Sequence, residues 1–270
     1  MLALSKFVEI TSAITFIGIL LSVTFLIPDQ TGKIKTESFN YQKYGFITGI
    51  LWAASTAVTI IFSLANILGT SVSKILDSTT IRSYVTQVIL GQSQLVELLV
   101  ALSLSFLILK ISKTTYAAIA LLVSIVGFSL PIFQSHAASS GSHALASGSL
   151  VIHVIALSLW VGGLISMGLM SERDRNLSIN RFSEIALWCA IFVAGSGLIN
   201  AWVRLNFKAS FGTTYFKLVM IKVIGTIILI LIGYIHRRNL KKKSINLVKF
   251  MRLLGIEAGL MIFLIAIGSW

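Results

Sequence analysis

Two of the chain's four histidines, His136 and His143, lie in one uncharged polar stretch, Gln134 to Gly148, and a third, His153, follows inside an apolar run. Three neutral imidazoles meeting at one mouth would suit copper, zinc or haem iron. The spacing is neither an HExxH nor a zinc-finger pattern, so a flexible loop rich in Ser, Gly and Ala is the plain alternative. Three ionisable residues also stand in apolar surroundings: Glu97, Lys222 and Glu257. Such a residue inside a membrane span is a functional hypothesis by default, although Lys222 can also snorkel outward and Glu257 can be a structural hydrogen-bonding group. From their depths, Lys222 should meet Glu97 more readily than Glu257.

The run around His153 adds detail. His153, Trp160 and Met167 are seven apart and share one helical face, drifting only about 20° per step. A rise of about 1.5 Å per residue separates His153 from Met167 by roughly 21 Å, so they cannot bind one ion. They are successive stations on a path or plain packing, and Trp160 takes a packing or pocket-wall role. Met167 and Met170 suit the filling of irregular gaps. Gly162 and Gly163 permit close helix approach, as do Gly195 with Gly197 and the Gly255-x-x-x-Gly259 pair that brackets Glu257.

These residues need elements to hold them, and composition says which. Of 270 residues 56% are hydrophobic and 11% charged, and the mean hydropathy is +0.92. That is the balance of a chain dissolved in lipid. At roughly 20 apolar residues per crossing, spans fall near 7–27, 44–68, 93–109, 115–133, 149–170, 184–203, 216–236 and 250–270. The expected fold is an all-α polytopic membrane protein, a bundle of about eight transmembrane helices. It divides into a four-span region over 1–133, a His-containing loop over 134–148 and a second four-span region over 149–270. The stretch before span six, SERDRNLSINRFSE, reads as a loop ending in a Ser183 cap.

The net charge of +13 lies in short segments between spans, where it sets orientation rather than binding nucleic acid. With the N-terminus outside, 15 of the 22 Lys and Arg residues fall on the inner side. Both termini and the histidine loop are then extracytoplasmic. The lone Cys189 allows neither an internal disulfide nor a thiolate cage. His236, beside Arg237 and Arg238, suits the inner interface and a helix C-terminus.

Several motifs in order, His153-x6-Trp160-Val-Gly-Gly163, Arg181-Phe-Ser183, Gly195-x-Gly197, Tyr215 with Lys222, Arg238-Asn239 and Glu257, resemble the copper resistance protein D family over roughly 140–265. Residues 1–130 are similar to that family in being four hydrophobic spans. The resemblance implies a bacterial inner-membrane protein of copper uptake or tolerance, with copper as its ion, no enzymatic activity, and a small extracytoplasmic copper-binding protein or an oxidase assembly factor as partner. The chain lacks a methionine-rich extracellular segment, so copper capture falls mainly on His136, His143 and His153. Two other readings stand beside transport. One is a haem-binding membrane oxidoreductase using His153 and a second imidazole as axial ligands. The other is a metal-free assembly partner of a respiratory oxidase.

Overall fold

The computed structural model describes the chain apart from residues 28–30, 35–38, 138–142, 206–213, 242–254 and 264–270. Among the described residues it is all-helical apart from turns and one isolated bridge. The helices are α1 (Leu2–Leu21), α2 (Tyr41–Leu68), α3 (Ser78–Gln87), α4 (Ile89–Leu107), α5 (Thr114–Ala137), α6 (His143–Leu169), α7 (Glu172–Leu205) and α8 (Thr214–Lys241). A further helical stretch, α9, covers 255–263. Six segments are long and apolar enough to cross a membrane: Leu2–Leu26, Tyr41–Leu68, Ile89–Lys110, Thr114–Gln134, Ser147–Leu169 and Glu172–Trp202. They coincide with the first six expected spans. The seventh is represented by the shorter apolar helix Met220–Gly233, and much of the eighth lies outside the described residues.

The bundle is built around α1. Every residue from Ser12 to Leu21 is buried, as expected of a helix apolar on all sides. It packs against α2, α5 and α6 and continues into a π-helical turn over Ser22–Leu26. Its crossing with α6 brings two helix backbones into direct contact. A Cβ built on Gly18 would lie 2.0 Å from the Gly162 carbonyl oxygen, and one on Gly162 would lie 2.3 Å from the Ile14 carbonyl oxygen. Only glycine fits where two helix backbones touch in this way. One turn further along both helices, the Ser22 and Ser166 hydroxyls hydrogen-bond across the same seam. The first helix of the chain is therefore a shared wall between its two halves.

One end of the bundle gathers the basic residues. Lys33 and Lys113 form an antiparallel bridge, the Ile34 N–H donates to the Ser112 carbonyl at 2.9 Å, and the Arg181 guanidinium donates to the Phe25 carbonyl at 3.3 Å. We call this the basic end. At the opposite end α3 lies over the tips of α2 and α4 and closes a small second core of Ile60, Leu64, Ala65, Ile75 and Tyr84. Burial there pushes the Tyr84 phenol up to about 12.

Two expected loops are largely helix. The SERDRNLSINRFSE stretch belongs to α7, which starts at Glu172 rather than at Ser183. The Ser171 hydroxyl accepts the Asp174 N–H at 3.1 Å, and Glu172 and Asp174 in the first turn complement the helix dipole. The segment also has an apolar side, since Ile179 and Phe182 are buried. Likewise α5 runs to Ala137 and α6 begins at His143, which shortens the connector expected over 134–148.

Candidate functional site

Among the described residues two tryptophans donate to buried carboxylates inside the bundle. The Trp52 Nε1–H of α2 donates to Glu97 Oε1 of α4 at 2.8 Å. The Trp160 Nε1–H of α6 donates to Glu257 Oε1 of α9 at 3.2 Å. All four side chains are buried. An indole N–H is a donor only, so each pair satisfies a buried carboxyl oxygen and fixes a ring at once.

His153 lies between α6 and α7, partly buried. Its Nδ1 hydrogen-bonds the Ser196 hydroxyl at 3.0 Å. A Cβ on Gly197 would stand 3.7 Å from its Cε1, so Gly197 leaves the ring room. Ser196 in turn donates to the Phe192 carbonyl at 2.5 Å, which holds the hydroxyl in place. With Nδ1 turned to Ser196, Nε2 is the nitrogen through which His153 would ligate, a division of roles found in metal-binding imidazoles. Lys222 of α8 is within electrostatic reach of this ring.

The expected partnership of Lys222 with Glu97 does not form. Helix α8 packs on α7, whereas α4 packs on α2, α3 and α5, so the two residues stand on different flanks of the bundle. Glu97 instead faces Glu9 of α1, a residue that sequence reasoning overlooked. A carboxylate within the apolar run Leu2–Leu21 was the available signal. Trp52 was missed as well, because an indole in an apolar span reads as packing until its partner on another helix is seen.

The three histidines expected to converge divide by depth. His143 and His153 belong to the one continuous helix α6, and ten residues at about 1.5 Å each put them roughly 15 Å apart along its axis. One ion cannot be held by both, nor can the two imidazoles sandwich one porphyrin. His136 and His143 sit at the facing ends of α5 and α6, and their side chains, like that of His236, lie outside the described residues. Among the described residues no group of three or more His, Cys, Asp or Glu side chains is placed to hold a metal ion.

The other expected positions are distributed as follows. Trp160 and Met167 are fully enclosed in the core. The Arg175 Nε–H donates to the Met167 carbonyl at 3.0 Å and an Nη2–H to the Met170 carbonyl at 2.8 Å, so this part of α6 is anchored to the basic end. Gly162 meets α1, and a Cβ on Gly163 would press the Phe182 ring at 2.4 Å. Among the described residues nothing lies within 4 Å of a Cβ built on Gly195, Gly255 or Gly259.

Fold and site together define a polytopic α-helical membrane protein with ionisable groups in the bundle interior. The chain matches the N-terminal domain family described as copper resistance protein D-like over residues 1–145, and the family described as copper resistance protein D over 177–270. It belongs to the copper resistance protein D family. The match includes the first half, where sequence reading found only four apolar spans in common, while His153 to Gly163 falls between the two matched ranges. No curated protein and no solved structure matches the chain.

Proposed function

We propose that the chain collects copper at the end of the bundle opposite the basic residues and passes it across the membrane through its second half, with His153 as the interior ligand. Family membership supplies the ion. The observation that carries the site is the His153 ring, oriented by Ser196 through Nδ1 and given space by Gly197. His136 and His143 form the mouth and His153 a deeper station. Copper in either common oxidation state accepts imidazole. Trp160 with Glu257 forms the wall below the station. Met167 and Lys222 lie farther along or beside the same route, and Glu97 belongs to the other half.

On the positive-inside rule the basic end, with Lys33, Lys113 and Arg181, faces the cytoplasm of a bacterial inner membrane. Both termini and the histidine mouth are then extracytoplasmic. A small copper-binding protein on that side is the natural donor or acceptor of the ion, and an oxidase assembly factor is the other candidate partner. The role is transport, and no catalytic residue is assigned.

The test is purification of the full chain in mild detergent, with metal content and visible spectrum read on the same sample. Copper in stoichiometric amount that is lost in His153→Ala supports the proposal. A Soret band would move the assignment to haem, with His153 and an imidazole from outside α6. Neither signal would leave the assembly role.

A further inference from the structure

The first half holds a polar site with no part in the copper route. Glu9 of α1, Thr59 of α2 and Glu97 of α4 are 7%, 1% and 1% exposed, respectively. The Glu9 carboxyl faces both Thr59 and Glu97. Glu97 Oε1 is taken by Trp52, whereas Glu9 Oε2 and Thr59 Oγ1 make no bond of ordinary geometry although the Thr59 hydroxyl and Glu97 both act on the Glu9 carboxyl. A hydroxyl and two carboxyl groups gathered in a bundle interior must share hydrogens among themselves.

Two buried carboxyl groups that face each other between packed helices cannot both stay ionised. Nor can two ionised carboxylates hydrogen-bond each other, because neither has a hydrogen to donate. One proton resolves both problems.

A route to the site runs from the end covered by α3. The Tyr84 hydroxyl donates to Gln94 Oε1 at 2.9 Å, and the Gln94 Nε2–H donates to the Ser63 hydroxyl at 3.4 Å. Gln94 precedes Glu97 by three residues on α4 and Ser63 follows Thr59 by four on α2, so each stands one turn above its counterpart on the same face. Three polar layers thus descend from the α3 cover: Tyr84, then Gln94 with Ser63, then Glu97 with Thr59 and Glu9.

We propose that Glu9 and Glu97 form a proton-binding acid pair inside the first-half bundle, loaded along the Tyr84, Gln94 and Ser63 ladder from the end opposite the basic residues. The proton passes between the Glu9 and Glu97 carboxyl oxygens, with Thr59 able to donate to whichever oxygen is charged. Lys6, on the same helix as Glu9, acts electrostatically on the pair. The elements packed around the pair bring few other titratable groups. Helix α2 has none between Tyr44 and Leu68, α4 has only Glu97, and α5 has none between Tyr116 and His136. Helix α3 brings Asp77, Arg82 and Tyr84 at the mouth, and α6 brings His143 and His153. The pair is thus a titrating unit in an otherwise neutral layer.

The experiment is infrared difference spectroscopy on the full chain across a pH series, reading the carbonyl stretch of protonated carboxyl groups. An ordinary Glu ionises near about 4.3. The acid pair predicts a protonated-carboxyl band still present at neutral pH, altered by Glu9→Gln and by Glu97→Gln and unaltered by Glu257→Gln. Thr59→Val should shift the same band, which supplies a reading even if a carboxyl variant fails to fold. Gln94→Leu should slow hydrogen–deuterium exchange of the band several-fold. Absence of the band in the unmodified protein, or a band that answers only to Glu257→Gln, would overturn the pair. An unchanged exchange rate in Gln94→Leu would overturn the route. The copper proposal is tested separately, because Glu97→Gln leaves His153 and its hydrogen bond in place.

Discussion

The two halves of the bundle use the same device, a tryptophan on one helix donating to a glutamate on another, and surround it differently. Trp52 and Glu97 are backed by a second carboxyl, Glu9, and by the Thr59 hydroxyl. Trp160 and Glu257 lie below an imidazole two turns away on α6, His153, which is held by Ser196. The chemistry of each half follows from those neighbours. Paired carboxyl oxygens in a buried layer favour a proton, whereas an imidazole oriented by a hydroxyl favours a soft or borderline metal. On the roles proposed above, the buried Trp–Glu bond is scaffold in both places and the adjacent groups select the ion.

The wall that both halves share tolerates the least change. Gly162→Leu would drive a side chain into the Ile14 carbonyl and the Gly18 backbone. Overpacking of this kind costs about 3 kcal/mol. A fall in thermal midpoint and loss of monodispersity in detergent should follow, with both halves failing together. Gly255→Ala should leave the midpoint within about 0.5 kcal/mol equivalents, as expected of substitutions away from tight contacts.

Next in size are the indoles. Trp52→Phe and Trp160→Phe each leave a buried carboxyl oxygen without its donor, a loss of about 1–3 kcal/mol. Thermal unfolding of the two variants should show the larger loss for Trp52→Phe, since Glu97 must also accommodate Glu9. Equal losses would mean that the acid pair adds nothing to the first site. Smaller again is Ser196→Ala, which should weaken copper binding about tenfold, the usual cost of removing a group that orients a ligand. Isothermal titration with copper would measure it.

The smallest effect concerns the cover over the first half. Burial raises the Tyr84 phenol to about 12 in the folded chain, against about 10 for a free tyrosine. The folded state thus holds this proton more tightly than the unfolded state. Its stabilising contribution is complete below about pH 10 and disappears as pH rises through about 12. Tyr84→Phe should flatten the alkaline limb of a stability profile measured by thermal unfolding, leaving the neutral region changed only by the lost bond to Gln94.

Much of the fold was legible in the residues, for reasons that differ by element. Long apolar runs can lie only in lipid, which set the positions of the first six spans. The clustering of Lys33, Lys113 and Arg181 at one end follows from the alternation of short loops. Gly162 announced a close crossing, but its partner Gly18, 144 residues earlier, belongs to tertiary structure. The Glu97 partner was misjudged because depth alone was available. Depth says nothing of lateral position, and only packing shows that α8 stands beside α7 and away from α4. How the three histidines are spaced was not legible, because α6 starts at His143 and helix rise separates it from His153.

The central claim is that copper belongs to the second half, at His153. Copper content of the purified full chain, measured side by side for the unmodified protein, His153→Ala, Glu97→Gln and Lys241→Ala, tests it most directly. Stoichiometric copper is expected in the unmodified chain, retained in Glu97→Gln and Lys241→Ala and lost in His153→Ala. Copper retained in His153→Ala, or lost equally in Lys241→Ala, would contradict it.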